Sequence, residues 1–388
     1  MKRHKYQWMI SGLIILVALA IGIAIYNTYS PRSTSSVSTA VVKDHYKIWK
    51  KAYLRGNKQQ EFVKTNNKNS KDQTLSEAQG YGMLITVMAA QQGFGSQKTF
   101  NQLTRYYVRH QISSDNPLMA WRQNHKGIAM TSTKEEKTSA TDGDLDIAYA
   151  LILADERWGS KGEIKYHRLA KKLLTTIKKK EINPTTKLPK VGDWATGPKS
   201  ATVVRTSDLM TAYFRKFASY TNDGSWTKVA QNSQIVLKKL SDQQETGLMA
   251  DFVTVTGSKL KTGKIGAKEV ASEHDNQYGF NACRVPWRVA YDYQIYHSQS
   301  SKQIARKMCR FFADQKQITA IYKLNGDPVE DYTNAAFTTP VAYAAQVVAN
   351  PELKVRYTKV LTGKMSTKDY YPATIQMATL LASSSIGK

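Results

Sequence analysis

The feature that most constrains the fold of this chain is a series of segments with the apolar periodicity of an α-helix. In each segment, apolar residues recur three and four positions apart and so share one helix face. The segments are Glu77–Gln91, Asp144–Glu156, His167–Lys180, Ser207–Tyr220, Trp226–Leu240, Ser301–Asp314, Asn334–Val348 and Tyr371–Ser383. Alternating strand patterns are few, and long polar loops join the helices. The pattern predicts an all-α toroid or bundle.

The N-terminus contains a different kind of apolar segment. Residues 8–26 (WMISGLIILVALAIGIAIY) are nineteen positions without a charge. At about 1.5 Å per residue, this run spans a hydrocarbon core about 30 Å thick. Lys2, Arg3 and Lys5 precede it, which predicts cytoplasmic residues 1–7 and an outward-facing remainder. We predict a transmembrane signal-anchor in the cell membrane. Secretion after signal cleavage is the alternative, although the apolar region of a signal peptide usually has only about 7–15 residues.

A polar stretch separates this anchor from the rest of the chain. Its Ser- and Thr-rich part (SPRSTSSVST) begins at Ser30, and this composition is typical of a flexible tether. We assign residues 27–40 to the tether and residues 41–388 to one folded domain. Within that domain there is no Pro-rich break and no repeat of fixed period.

Composition argues against several classes of protein. The 56 Lys and Arg against 30 Asp and Glu give a net charge of +26. The basic residues are scattered and form no nucleic-acid-binding motif, so we expect a solvated basic face and no nucleic-acid partner. Two cysteines, Cys283 and Cys309, leave either one bridge or two buried thiols. The seven histidines show no HExxH pattern, and we expect neither a metal nor a cofactor.

One acidic residue, Glu77, stands at the start of an apolar helix, in the stretch Ser76-Glu77-Ala78-Gln79. The pattern is typical of a capping box. Gly80 and Gly82 follow, and glycine inside a helix costs about 1 kcal/mol relative to alanine. This cost suggests a substrate that passes close to the turn, whereas a plain helix cap is the alternative.

A second acidic cluster opens the helix that starts near residue 141. Asp142, Asp144 and Asp146 are three carboxylates within five residues, in keeping with the positive end of a helix dipole. A calcium loop is excluded because the glutamate at its twelfth position is absent. At least one of these carboxylates should face a cleft lined by loops, and simple N-capping is the alternative for Asp144 and Asp146.

Taken together, these stretches resemble the two signature regions of the family-8 glycoside hydrolases. The matching stretches are SEAQGYGM at 76–83, ATDGDLDIAYALILADERW at 140–158, VGDW at 191–194, NACRVPWR at 281–288 and Tyr370-Tyr371. The resemblance extends from about residue 41 to residue 384. It implies an (α/α)6 barrel whose loops form a long open cleft, and an enzyme that hydrolyses β-linked glycans with inversion.

The resemblance also implies roles for the acidic residues. Glu77 would be the general acid, and Asp142 would contact the sugar ring that is distorted in the central subsite. A general acid must hold its proton near neutral pH, yet a helix N-terminus lowers the pKa of a carboxyl. Burial or a nearby like charge, for which Asp142 is the natural candidate, has to raise the pKa of Glu77.

The general base is where this chain departs from many members of the family. Those members carry Asp where this chain has Asn281, and an amide cannot take a proton from water. A second subfamily, resembling the chitosanases and lichenases, takes its base from the preceding loop. Here that loop contains Glu269, Glu273 and Asp275. We favour Glu273 and keep Asp275 as the alternative. Either one alone is equally well explained as a solvated loop acid.

Further residues are expected to bind substrate. Aromatic side chains at loop or helix-start positions can stack on sugar faces, and polar side chains of the matching stretches can contact hydroxyl groups. The expected substrate-binding residues are Tyr81, Trp121, Asp144, Trp194, Tyr278, Asn281, Arg284 and Tyr371. Trp158 and Trp287 lie in apolar helical stripes, where core packing is expected.

The expected activity is that of an extracellular endo-β-1,4-glucanase acting on a cellulose-like glucan or exopolysaccharide. The Asn281 pattern favours a chitosanase or mixed-linkage β-glucanase instead, whereas the net charge of +26 repels cationic chitosan. A non-catalytic polysaccharide-binding protein that lost its base is an alternative of another class. We expect a monomer whose partners are the polysaccharide and, through residues 8–26, the membrane.

Overall fold

The computed structural model describes residues 37–66 and 71–386. The anchor predicted at residues 8–26 and most of the tether lie outside the described residues. One compact unit begins at Thr39, close to the expected domain start at residue 41. In the described part of the chain, no helix combines the length and apolarity needed to cross a membrane.

The described residues form twelve α-helices, numbered here in chain order. They are α1 Thr39–Tyr53, α2 Ser76–Gln91, α3 Gln97–Arg109, α4 Thr141–Trp158, α5 Tyr166–Lys180, α6 Thr211–Thr221, α7 Gly224–Asp242, α8 Val285–Tyr296, α9 Gln299–Ala313, α10 Ala335–Val347, α11 Pro351–Leu361 and α12 Tyr370–Ser383. Every helix predicted from periodicity is present.

The helices form two concentric layers. The even-numbered helices pack in sequence, α2 on α4, α4 on α6 and so on to α12, and α12 closes the ring against α2. The outer helices α3, α5, α7, α9 and α11 each pack against the inner helix that precedes them in the chain, whereas α1 packs against α12. This arrangement agrees with the (α/α)6 barrel that the family resemblance implies.

The sequences of the two layers differ as their positions require. An inner helix touches neighbours on all sides, and in α2 nearly every residue from Ser76 to Ala90 is buried. An outer helix faces solvent on one side, and α5 buries only Tyr166, Ala170, Leu173, Leu174 and Ile177. A helix that is apolar all round is expected in a core, whereas one apolar stripe is expected on a surface helix.

The expectation of an all-α protein needs one correction. The described loops contain eight short strands in three antiparallel sheets. The strands are β1 Leu54–Gly56, β2 Glu61–Val63, β3 Gln73–Leu75, β4 Arg122–Lys126, β5 Ala129–Thr131, β6 Val203–Arg205, β7 Phe252–Thr256 and β8 Lys261–Gly263. Most have only three residues, too short for an alternating pattern to emerge from the sequence.

The two cysteines are both buried, free thiols. Of the alternatives that the sequence leaves open, the structure therefore shows two thiols and no bridge between them.

Candidate active site

The candidate site lies where the N-terminal ends of several inner helices meet. Glu77 is the second residue of α2, Asp142 is the second residue of α4, and Tyr370 is the first residue of α12. Arg284 directly precedes α8, and Arg205 ends strand β6 shortly before α6. Because helix N-termini carry positive partial charge, this end of the ring favours negatively charged groups.

Arg284 holds the two principal carboxylates together. Its Nη1 donates to Glu77 Oε2 at 3.2 Å and to Asp142 Oδ2 at 3.0 Å. The same nitrogen lies 3.2 Å from the Tyr81 hydroxyl, which accepts. The Arg284 side chain has no exposed surface, so these charge-assisted contacts are shielded from water. Residues from α2, α4 and the start of α8 are thereby tied to one cation.

The environment of Glu77 suits a proton donor. Burial raises the pKa of Glu77 to about 7, and the Asp142 carboxylate adds to the shift, while Arg284 opposes it. The Tyr370 hydroxyl donates to Glu77 Oε1 at 3.1 Å. The side chain keeps 18% of its surface exposed. The carboxyl thus keeps a proton up to about pH 7 and remains partly exposed, as a general acid requires.

Asp142 has the opposite electrostatic character. Its burial alone would raise the pKa, but the charges of Arg205 and Arg284 outweigh burial and hold the pKa at about 2. Arg205 Nη1 lies 2.9 Å from Asp142 Oδ2, and the Gly143 amide donates to Oδ1 at 3.0 Å. When the pKa values of two neighbouring carboxyl groups are shifted in opposite directions, one group can act as a proton donor while the other stays ionised.

Asp208 completes the charge network on the far side of Arg205. Its Oδ2 accepts from Arg205 Nη1 at 3.2 Å, and its side chain is completely buried. Burial raises the pKa of Asp208 to about 7, with Asp142 adding to the effect. Arg205 therefore lies between Asp208 and Asp142 and contacts the same Asp142 oxygen, Oδ2, as Arg284 does.

The close approach of α2 and α4 explains the glycines near Glu77. A Cβ on Gly80 would lie 2.9 Å from Asp146 Cβ, and one on Gly143 would lie 2.6 Å from Ser76 Oγ. A Cβ on Gly82 would meet a Val63 methyl at 2.5 Å. The glycines therefore serve helix packing, which corrects the suggestion that substrate passes over them.

The capping interpretations are also wrong. Helix α2 starts at Ser76 with Leu75 as its N-cap and no side-chain cap, so Glu77 is not part of a capping box. Asp144 Oδ1 instead accepts from the Met119 amide at 2.9 Å, and Asp146 Oδ2 accepts from Arg288 at 2.9 Å. These carboxylates bind tertiary partners because they are buried where those partners converge.

The two loop acids proposed as bases have contrasting environments. Glu273 is 68% exposed and pairs with Lys268 at 2.6 Å. Asp275 is completely buried. Its oxygens accept from the amides of Val270 at 2.7 Å, Ala271 at 3.1 Å and Ser272 at 2.8 Å. Asp275 closes the loop that carries Glu273, and Glu273 is the loop acid that water can reach.

Three of the expected aromatic residues have accessible ring surface. Trp194 is 50% exposed, whereas Trp121 and Tyr371 are half-buried. The Trp121 carbonyl accepts from the Ser76 amide at 3.0 Å, which places its backbone against the residue before Glu77. The Tyr371 hydroxyl donates to the Phe280 carbonyl, next to Asn281. These rings suit the expected stacking on sugar.

Four other expected substrate contacts are corrected by burial. Tyr278 packs against Phe312 and Phe337 with no exposed surface. Tyr81, Asp144 and Arg284 are also completely inaccessible. Tyr81 and Arg284 act on the site from beneath, through Glu77 and Asp142. Burial in α4 raises the pKa of Asp144 well above its usual range, and Glu181 raises it further.

Sequence reasoning missed several residues of this site. Tyr370 stands in the matching Tyr370-Tyr371 pair, so the signal was present but was assigned to Tyr371 alone. Arg205 and Asp208 are charged residues in unremarkable stretches. They pair with each other three positions apart, but a local motif cannot identify them as site residues, because the contact of Arg205 with Asp142 joins distant parts of the chain.

A helix ring of this kind, with a glutamate that holds its proton beside an ionised aspartate, fits a glycoside hydrolase. The sequence model of the glycosyl hydrolases family 8 matches residues 23–385. The chain belongs to this family and is an enzyme, an endo-acting glycoside hydrolase. The non-catalytic binding protein considered above is therefore set aside.

Several named proteins are similar to this chain. A β-glucanase of Niallia circulans is 32% identical over 90% of this chain and 86% of its own length. Endoglucanase A of Acetivibrio thermocellus is 30% identical over 92% of this chain and 72% of its own length. The apo structure of a β-1,3-1,4-glucanase from Paenibacillus sp. X4 superimposes with a TM-score of 0.82, at 29% identity, covering 91% of this chain and 94% of that one.

Proposed function

We propose that this chain is an inverting endo-β-1,4-glucanase with Glu77 as its general acid. The observation that carries the proposal is the buried Glu77 carboxyl, whose pKa near 7 keeps the proton available beside a permanently ionised Asp142. Relatives named β-glucanase and endoglucanase support a glucan as the substrate.

The proposed reaction follows from the contacts of these two carboxyls. Glu77 gives its proton to the oxygen that leaves the anomeric carbon. As it ionises, the Arg284 guanidinium and the Tyr370 hydroxyl, which already contact its two oxygens, stabilise the new charge. Asp142 Oδ1 has room for a second hydrogen bond beside the one from Gly143, and we assign it to a hydroxyl of the distorted sugar.

A base must remove a proton from the attacking water on the opposite face of the sugar. Asn281 cannot do so. We propose Glu273 because its carboxylate is exposed to solvent, whereas the oxygens of Asp275 are occupied by backbone amides. Water then forms the new C–O bond while the glycosidic bond breaks, which inverts the anomeric carbon.

A mixed-linkage β-glucan is the second candidate substrate. The similar structure described as a β-1,3-1,4-glucanase and the Asn281 pattern both favour it. Chitosan fits less well, since a chain with a net charge of +26 repels a cationic polymer at long range.

Hydrolysis of three polymers tests these assignments. We expect reducing ends from carboxymethyl-cellulose and lichenan and none from chitosan. Proton NMR of an early digest should show the α-anomer first, and Glu77→Gln should lower the rate about 10²- to 10⁴-fold. A β-anomer appearing first contradicts inversion. Product from chitosan alone contradicts the glucan assignment, and an active Glu77→Gln variant contradicts the acid.

We also propose that the enzyme is a monomer anchored by residues 8–26, with its catalytic domain outside the cell. The long uncharged run and the basic residues before it support this location. The full chain should stay with membranes after an alkaline wash, and light scattering in detergent should give one chain. Full release by the wash, together with loss of the N-terminal segment, would favour the cleaved, secreted form.

A further inference from the structure

Asp251, at the residue before strand β7, binds the segment that precedes Arg284. The side chain is 1% exposed. Its Oδ1 accepts from the amides of Gly279 at 2.9 Å, Asn281 at 3.1 Å and Ala282 at 2.6 Å. A Cβ on Gly279 would lie 2.6 Å from Asp251 Oδ2, so the glycine allows this close approach. The segment is therefore folded around one buried carboxylate.

The side chain of Asn281 links this carboxylate to Arg284. Asn281 Nδ2 donates to Asp251 Oδ2 at 3.1 Å. Its Oδ1 accepts from Arg284 Nη2 at 3.1 Å. An amide has donors on one end and an acceptor on the other. A reversed amide would set its oxygen against the carboxylate and its NH₂ against the guanidinium, so Asp251 fixes the orientation that serves Arg284.

Arg284 in turn contacts both principal carboxyls of the site through Nη1. We propose that Asp251 is a positioning residue for Glu77 and Asp142, acting through the Asn281 amide and Arg284. This inference rests on the proposed roles of Glu77 and Asp142. Burial raises the pKa of Asp251 to about 6, and the amide donors from residues 279–282 oppose that shift. Burying this carboxyl costs free energy, and a neutral side chain at position 251 would avoid that cost.

The same geometry gives a reason for an amide at position 281. A carboxylate there would place oxygen against Asp251 Oδ2, at the 3.1 Å now occupied by an N–H donor. Two carboxylates at that distance repel each other, and one of them takes up a proton. In this chain a carboxylate at position 281 is therefore disfavoured as long as residue 251 is also acidic.

Exchanging the two residues tests the proposal without changing the net charge. In Asp251→Asn, the side-chain oxygen can still accept from the three backbone amides. The new NH₂ group, however, faces the NH₂ group of Asn281. Asn281→Asp sets carboxylate against carboxylate. In the double variant, the amide at 251 donates to the carboxylate at 281, which still accepts from Arg284. We expect each single variant to lower kcat about tenfold or more with little change in KM, and the double variant to recover most of that loss.

Unfolding temperatures and a second set of variants, made in the Asn281→Ala background, keep the test decisive. If Asp251 merely holds its loop, Asp251→Asn lowers the unfolding temperature, and the losses in kcat combine additively in the double variant. That result overturns the proposal. Asn281→Ala cuts the link without adding charge, so Asp251→Asn should have little further effect on kcat in that background; an undiminished effect also overturns the proposal. Rates are measured on whichever glycan the wild-type chain hydrolyses, so failure of the glucan assignment is seen separately.

Discussion

The proposed acid and the proposed base have different surroundings. Glu77, together with Asp142, stands on the end of two packed inner helices, and Arg284 holds both carboxyls in a shielded position. Glu273, the proposed base, extends from a loop, is 68% exposed and pairs with the equally exposed Lys268. A carboxyl whose pKa must be shifted has to be buried on rigid elements. A carboxylate that takes a proton from water can remain exposed to solvent.

The energetic difference follows from exposure. Removing one partner of a buried, hydrogen-bonded charge pair costs about 3–5 kcal/mol. An exposed pair such as Lys268–Glu273 contributes only about 0–1 kcal/mol, so a bound sugar can displace it at little cost. The proposed acid is thus fixed before substrate arrives, whereas the proposed base is free to adjust around the substrate.

The largest effect expected from this contrast concerns the two loop acids. Glu273→Gln should lower kcat about 10²- to 10⁴-fold, because the water loses its base, while the unfolding temperature stays unchanged. Asp275→Asn should lower the unfolding temperature, because its NH₂ would face backbone N–H donors, at a cost of about 1–3 kcal/mol. Steady-state kinetics and thermal unfolding of both variants make the comparison.

Chemical rescue separates the base from a group that only shapes the loop. Azide needs no base to attack the anomeric carbon, so it should restore turnover in Glu273→Ala and yield an α-glycosyl azide. Asp275→Ala should not respond. A rescued Asp275→Ala together with an active Glu273→Gln would transfer the role of base to Asp275.

A smaller effect is expected from pH, through the buried acid. Only protonated Glu77 can donate, and its pKa is raised to about 7. Raising the pH above 7 therefore removes the active form, and kcat/KM should fall about tenfold per pH unit on the alkaline side. An alkaline limb near pH 4.5, the ordinary value for a glutamate, would show that burial does not control this carboxyl.

The smallest effect on the kinetic constants is expected from removing the exposed ring of Trp194. Trp194→Ala removes an exposed ring, and we expect KM to rise about threefold to tenfold with kcat nearly unchanged, because stacking acts on bound substrate and transition state alike. Ile235→Ala is the matched control, since Ile235 is an exposed apolar side chain on the outer helix α7. A similar rise in KM for both variants would remove the stacking role.

Local patterns in the sequence predicted those features of the fold and site that a short stretch of chain determines. Helical periodicity located eight of the twelve described helices, because apolar residues in those segments repeat every three to four positions. It did not identify α1, α3, α8 and α11. The signature stretches identified Glu77 and Asp142, whose roles remain a proposal. The three small sheets escaped prediction because strands such as β1, Leu54–Gly56, are too short to show alternation.

The charge network was beyond the reach of local patterns. Arg205 meets Asp142, and Asp251 meets Asn281, in contacts between residues far apart in the chain, 30 positions in the case of Asp251 and Asn281. Tyr278 was expected to bind sugar because it follows a polar loop, yet its side chain points into the aromatic core around Phe337. Which way a loop residue faces depends on tertiary packing, which no short stretch of sequence contains.

The contact between Gly80 and Gly143 has a consequence for how this enzyme can change. Helices α2 and α4 carry Glu77 and Asp142 at ends where the two backbones lie directly against each other. The distance between these ends therefore cannot be adjusted by changing the size of a side chain. A substitution at either glycine would alter folding and proton transfer together. New substrate specificities must therefore arise in the loops at this end of the ring, where residues can vary while the contact between α2 and α4 stays the same.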